Sequence, residues 1–555
     1  MVSSTSKAAG RKLAEFVPLK PAEQKLLDAC RKGEVAYIPE QEQRPTKPTE
    51  ENIVSASFLR FLALGGDEHA PVHEKGVRLC GGMVEGELDL EGAILPHSLM
   101  LINCYLNTII LRNSDVSGFV CIDGCYVESL VADGLKSSGS LFLEGEFVTA
   151  VYLSGAQIGG DLNCTGGKFN GMDDSDALLC SSTVIKGDVF LNGTTATGTV
   201  RLVSTHIGGS LECTNARFSD HRSGDKHVGA LVCDRAMIKG NIFLNGNFTA
   251  TGEVRLMGVQ TDGNLDCSDA KFVDQKNGDA LLFDSAVIKG NVFLKNKFTA
   301  TGTVRLVGAQ IDGSLECTSA KFNDPRSGDQ HVGALICDRA VIKGGVFLTN
   351  GFTASGTVSL IGMQIGGNLD CSKATFNGTD GYALLAEGLV VAGGFFFRDL
   401  ISANGIVSLA SAQISSLVDD DQSWRNVELI LDGFIYDRLT GNASTNAKNR
   451  LAWLDKQTAS YSGLAGDGKD FKPQPWRQLQ KVLHDMGHTE DARQVAIAFE
   501  DRLRKAKLIK HWILHGLFGL LIGYGYRPFR LLIIMLTVWL AGLRSNLLEC
   551  CTLCK

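Results

Sequence analysis

Three groups of side chains have types and spacings suited to chemistry. Two similar loops, SDHRSGDKHVG at 219–229 and NDPRSGDQHVG at 323–333, each carry an acid near a histidine: Asp225 with His227, and Asp329 with His331. Such pairs would line a polar groove or a weak metal site. Cysteine, 16 residues in all, returns at Cys164, Cys213, Cys267, Cys317 and Cys371. These thiols would serve metal or redox chemistry if they reached solvent as thiolates. His484 and His488 stand four apart, the spacing of two ligands on one helix face. Each group also has a plainer reading. Loops rich in Asp, Gly and Ser are ordinary solvated turns, and Gly487 interrupts any helix that would carry both histidines. No nucleotide fingerprint or flavin motif accompanies these groups, so no catalytic set, metal or cofactor is assigned.

The elements that would position these residues come from a repeat. Near copies of one stretch occur as DVFLNGTTATGTVRL from Asp188, NIFLNGNFTATGEVRL from Asn241, NVFLKNKFTATGTVRL from Asn291 and GVFLTNGFTASGTVSL from Gly345. The long period is about 50 to 54 residues, in the range of repeat arrays. Inside it an apolar-x-apolar triplet returns about every 11 residues, as at Cys233, Leu244, Leu256 and Cys267. Three alternating residues make a short strand with two side chains in and one out. A second inward signal lies between triplets, so Leu306, Ile311, Cys317 and Phe322 are five or six residues apart. Four short sides per coil of about 22 residues follow. The expected fold is therefore mainly β: a parallel β-solenoid of about 14 four-sided coils, with glycines such as Gly302, Gly308 and Gly313 at its corners. Equivalent cysteines then recur every second coil, roughly 9.6 Å apart. That exceeds the about 7 Å reach of a disulfide, so they are read as small, inert core residues.

Stacking the coils sorts the outward residues into columns. One alternates Arg201, Arg255 and Arg305 with Val232, Leu282 and Ile336. Another alternates Glu212, Asp266, Glu316 and Asp370 with Phe243, Phe293, Phe347 and Phe396. Outward aromatics are unusual on a soluble monomer. These four either stack on each other or lie under the terminal helices, or form a docking stripe for a partner or lipid surface, and they are the candidate interaction stripe. A third runs Lys239, Asp262, Lys289, Asp312 and Lys343, which reads as a register-setting charge ladder. The Thr-Ala-Thr triplets at 195–197, 249–251 and 299–301 fall at a corner of every second coil, which does not suit an ice-binding face.

These features resemble the pentapeptide-repeat and right-handed β-helix proteins. More closely, FLRFLALGG at 58–66, KGVRL and GELDLEGA within 75–93, the Cys-bearing coils, and PQPW through GYGYRP near the end are similar to bacterial membrane-associated proteins that join a degenerate solenoid to a hydrophobic tail. That resemblance implies a right-handed solenoid, a bacterial inner membrane, and a family label of membrane-associated oxidoreductase.

The ends frame the domain reading. Residues 1–70 form a disordered N-terminus and a helical cap, with TEENIVSASFLRFLALGG as the helix that covers the first coil. The solenoid occupies 71–415, an α-helical region 416–510, and a hydrophobic membrane segment and tail 511–555. Within the helical region Trp476, Leu479, Leu483, Ala492 and Phe499 match the spacing of one tetratricopeptide-like helix hairpin, expected to pack on the last coil or on another protomer. WILHGLFGLLIGYGY (512–526) and LLIIMLTVWLAGL (531–543), broken by RPFR, are each short of the about 20 apolar residues of a full span. They read as a hairpin, a re-entrant segment, or an interfacial half followed by a spanning half. Trp512, Tyr526, Pro528 and Trp539 are the membrane candidates, and RLRKAKLIK before them suits a cytoplasmic leaflet. Cys550, Cys551 and Cys554 sit in what reads as an unstructured tail.

Net charge is −7, so no nucleic-acid partner is expected. The N-terminus has no continuous apolar run, so no secretory signal peptide is expected either. The preferred reading is a non-enzymatic, membrane-anchored scaffold that faces the cytoplasm and binds an unidentified protein. One alternative is a β-helix enzyme, polysaccharide-acting or redox by the family label, with its site at loops 219–229 and 323–333. The other is a DNA-mimicking solenoid, which the Arg and Phe columns and the modest charge disfavour.

Overall fold

The computed structural model describes residues 12–38, 44–171, 176–220, 229–274, 278–324, 333–458, 471–505 and 508–553. The chain is mainly β, a parallel β-solenoid of about 15 turns with seven α-helices among the described residues. It divides into two compact units, residues 1–344 with 352–354, and residues 345–351 with 355–555.

In the first unit the five- and six-residue steps become four short strands per turn. Val254–Arg255, Gln260–Thr261, Leu265–Asp266 and Lys271–Val273 make one turn. They pair in parallel with Asp279–Leu282, Val287–Ile288, Val292–Phe293 and Thr299–Thr301 of the next. Corner geometry explains the repeated Thr-Ala-Thr-Gly. Gly302 has φ +113°, and a Cβ there would stand 3.0 Å from the Gly278 carbonyl oxygen, so only glycine turns this corner without strain. At another corner the chains approach closely. Gly290 donates its N–H to the Gly263 carbonyl at 2.9 Å, and a Cβ on it would fall 2.4 Å from Asn264 Oδ1.

The interior is a set of side-chain ladders. Cys213, Leu244, Cys267, Leu294 and Cys317 alternate up one column, all fully buried. Burial pushes the thiols of Cys164, Cys213, Cys267 and Cys317 well above their ordinary range, so they stay protonated and inert. A second ladder is aromatic: Phe218, Phe248, Phe272, Phe298, Phe322 and Phe352 follow one another with ring centroids 5.2–5.5 Å apart. Only alternate rings come from the fourth strand. In the other coils that strand's inward residue is Ala250 or Ala300, paired with Phe272 and its equivalents, and Phe248 or Phe298, from the preceding corner, fills the space that alanine leaves.

The N-terminal cap departs from expectation. Ile53–Ser55 is a strand paired with Met83–Glu85, and α2 begins only at Ala56 (Ala56–Ala63). Burying Val54 between partially exposed neighbours is the alternation of a strand, which overrides the helical stripe there. An earlier helix, α1 (Pro21–Lys32), has Pro21 at its first position and Gly33 at φ +69° as its stop. Its buried Glu23 accepts hydrogen bonds from Lys20 N–H and from the Ser55 N–H and hydroxyl, tying α1 to that strand. Phe58, Leu59 and Leu62 of α2 are fully buried at this end, as the cap reading requires.

In the second unit sides fuse into longer strands, Thr375–Leu385, Val390–Phe397, Ser402–Ser408 and Gln413–Asp419. Pairing continues past 415, through Val427–Ile430 and Ile435–Leu439. Helix α3 (Ala447–Leu454) is fixed there by buried Arg450, whose guanidinium donates to both oxygens of Asp419 at 2.7 Å. Trp424 Nε1 donates to the same carboxylate at 2.8 Å. Helices α4 (Gln474–Asp485) and α5 (Thr489–Lys505) form the expected hairpin. It packs on the last turn: Gln474 Nε2 donates to the Phe434 carbonyl and Gln478 Nε2 to that of Tyr436. Helices α6 (Trp512–Ile522) and α7 (Phe529–Leu553) complete the chain. The backbone stays helical through Cys550 and Cys551, where an unstructured tail is expected, because no glycine or proline follows Gly542; Cys554 lies outside the described residues.

Candidate functional site

The strand register fixes the outward columns. Arg201, Val232, Arg255, Leu282, Arg305 and Ile336 are successive partners, as the alternation predicts. Each arginine is held by an acid: Asp176 on Arg201 at 2.9 Å, Asp234 on Arg255 and Asp284 on Arg305 at 2.6 Å. In the lysine column Lys289 pairs with Asp262 at 2.7 Å and Lys343 with Asp312 at 2.8 Å. Opposite charges on neighbouring strands of this kind favour the observed register over a slipped one.

The candidate stripe has a composite character. In the first unit Glu212, Phe243, Asp266, Phe293 and Glu316 are successive partners, and in the second Phe347, Asp370 and Phe396 are. All four rings point outward, but each is half-buried rather than exposed. An acid separates each ring from the next within its unit, so the rings do not merge into one apolar strip. Sequence reasoning missed the groups that partner them, which lie two residues beyond the aromatic position. Asn245 donates to Asp266 and Lys295 to Glu316, each at 2.9 Å. Lys295 Nζ also stands 4.1 Å from the Phe293 ring centroid, and the Arg398 guanidinium lies 5.4 Å from that of Phe396.

Among the described residues, the equivalent strands Lys168–Asn170, Arg217–Ser219, Lys271–Val273 and Lys321–Asn323 each precede a sequence insertion at one corner. Asp225, His227, Asp329 and His331 lie outside the described residues. At this corner Glu253 takes the position that Thr199 and Thr303 hold in other coils. Burial pushes its carboxyl up to about 7; Arg255, whose Nε is 3.9 Å away, opposes this, and Asp279, Asp274 and Asp234 add to it. A carboxyl half-protonated near neutrality is suited to proton transfer. Among the described residues no group of three or more His, Cys, Asp or Glu is arranged to hold a metal ion. His488 follows the turn at Gly487 (φ +85°), so it does not share a helix with His484.

The C-terminal helices carry most of the large apolar side chains that the described residues expose. Trp512 is 55% exposed, Phe529 75% and Trp539 61%, and Ile513, Leu520, Leu532, Ile533 and Val538 are likewise open. Tyr526 and Pro528 lie exposed at the turn between the helices. Among the described residues no single helix is long and apolar enough to cross a membrane. The pair Trp512–Gly525 and Phe529–Arg544 meets that test only together, bent by 113°. The preceding basic run is less open than its sequence implies, because Arg502 turns inward onto Asp455 at 2.6 Å and lies against the Trp476 ring. No protein-family model, curated protein or solved structure matches the chain.

Proposed function

We propose that this protein is a membrane-anchored β-solenoid scaffold. Helices α6 and α7 attach it to the cytoplasmic face of a bacterial inner membrane, and the solenoid presents its faces to a protein partner. The observation that carries this reading is the dense apolar exposure along Trp512–Leu543. Soluble monomers rarely leave so large a contiguous apolar surface uncovered. The apolar run 531–543 of α7 covers only about 20 Å at 1.5 Å per residue, shorter than a hydrocarbon core of about 30 Å. The 113° bend therefore supports an interfacial or re-entrant wedge. The resemblance to bacterial membrane-associated solenoid proteins points the same way. Cell fractionation of the full chain and of a chain lacking 512–555 tests it: the full chain should sediment with membranes and the truncated one should not. Full-length protein in the soluble fraction would overturn the reading.

A second reading, an enzyme acting on a polysaccharide at the loop corner, draws support from Glu253 among Asp234, Asp274 and Asp279. Hydrolysis of a polysaccharide panel that vanishes in Glu253→Gln would favour it over the scaffold.

A further inference from the structure

A concave site lies where the helical hairpin meets the turn between α6 and α7. Its volume is about 440 Å³, and Arg477, Lys481, His484 and Arg493 line it together with Asp485 and Tyr526. Three permanent cations against one lining acid make it electropositive. Arg493 is partly neutralised by Glu490, and His484 stands 3.6 Å from Asp485. Among the described residues neither Arg477 nor Lys481 has an ion-pair partner; the Arg477 guanidinium lies 5.6 Å from the Phe499 ring centroid. A pocket of this size and charge fits a phosphate with a short polar substituent.

Its position narrows the source of that phosphate. Helix α6 runs back along α5: His515 Nε2 is 3.1 Å from Glu500, and the Tyr524 hydroxyl donates to Asp501 at 2.6 Å. The turn then reaches the start of α5, where Arg527 stands 3.7 Å from Glu490 and Arg493 donates to the Tyr526 carbonyl at 3.5 Å. From that point α7 departs with Phe529, Leu532 and Ile533 exposed. The cations thus sit at the root of the apolar helix, the level of lipid headgroups once that helix enters a bilayer.

We infer that this cavity binds the phosphate of an anionic phospholipid headgroup, with Arg477 and Lys481 as its principal contacts. The assignment rests on the membrane-anchored reading above and adds lipid selectivity to it.

Vesicle flotation of the full-length protein tests both ideas separately. The probes are vesicles of phosphatidylcholine alone and of phosphatidylcholine mixed with phosphatidylglycerol. A juxtamembrane cation contributes about a fivefold gain in partitioning, so Arg477→Gln with Lys481→Gln should lose on the order of 20-fold of the preference for mixed vesicles. The same variant should keep wild-type binding to phosphatidylcholine, which α6 and α7 supply. A charge-matched control, Lys168→Gln with Lys271→Gln, should keep the anionic preference. If the pocket variant retains that preference, or the control loses it equally, the pocket assignment is overturned while membrane attachment stands. If the wild type floats with neither vesicle, the anchor reading fails and the headgroup assignment with it. Titration of detergent-solubilised protein with inorganic phosphate separates the other source. Pocket-dependent phosphate binding without any preference for mixed vesicles would identify a free anion as the ligand and overturn the lipid.

Discussion

Truncating Phe298 to alanine probes the packing device that holds the repeat together. Phe298 is fully buried, with its ring centroid 5.5 Å from that of Phe272 and 5.2 Å from that of Phe322. Its own coil offers only Ala300 at the matching strand position, so nothing else fills the space. Removing a buried phenyl group costs about 3–5 kcal/mol through lost burial and the cavity left behind. Two ring partners, each contributing about 0.5–1.5 kcal/mol beyond area, place this site near the upper end, about 4–5 kcal/mol. Phe298→Leu keeps most of the volume and should cost about 1.5 kcal/mol. In a solenoid each coil contacts only its neighbours, so the damage should be local. Hydrogen exchange is therefore the better assay, since a global two-state fit fails for long arrays. Protection should fall in Lys271–Val273, Thr299–Thr301 and Lys321–Asn323 and persist in Leu99–Ile102. Wild-type protection around Thr299 in the alanine variant would refute the view that the corner aromatics complete the interior ladder.

Two further outcomes follow from the loop corner. Glu253 is held at about 7, above its ordinary 4.5, so its charged form is disfavoured in the folded state. Stability from this group is full below about pH 4.5 and declines as pH rises to about 7. Because the carboxyl is partly solvated, the loss is discounted to roughly 1–2 kcal/mol. Denaturation midpoints at pH 5 and pH 8 should differ less in Glu253→Gln than in the wild type, and parallel pH dependences would contradict the assignment. Gly302→Ala should destabilise by about 1–3 kcal/mol, because it places a side chain at positive φ and against the Gly278 carbonyl; an unchanged thermal midpoint would count against strain at that corner.

Much of the solenoid could be read from the chain because its signals are local and repeated. The five- and six-residue steps specify four sides; the outward residues of successive triplets fall into the Arg and acid–Phe columns, and the residues after the second inward position into the Lys–Asp column. Interactions that join non-equivalent positions were not readable. Phe248 and Phe298 sit at corners, outside the triplet pattern, so their place in the interior ladder emerges only once coils are stacked. Lys295 meets Phe293 and Glu316 because a two-residue strand ends there, which spacing alone does not reveal. Past 415 the acidic run Asp419–Asp421 interrupts the beat, yet Leu429 and Leu431 still point into the interior. The first of those acids, Asp419, is the buried partner of Arg450 and Trp424, so the break in the beat still contributes one residue to the core.

The columns also bear on where recognition takes place. On the outward faces, charges are largely answered from within. Aspartates pair with the arginines, Asp262 and Asp312 with lysines, and Asn245 and Lys295 hold the acids of the Phe column. A partner approaching such a face must displace existing hydrogen bonds to make its own, which limits the net gain. Pairing of this kind stabilises stacking without creating a strong field, so adding coils adds length rather than affinity. The features that the repeat does not generate are Glu253, where the equivalent residues two coils away are Thr199 and Thr303, the cations at the root of α7, and the apolar surface of α6 and α7. On the regular faces the uncharged, half-buried rings of the Phe column are therefore the groups best placed to add binding energy for a protein partner, while the apolar surface of α6 and α7 supplies attachment.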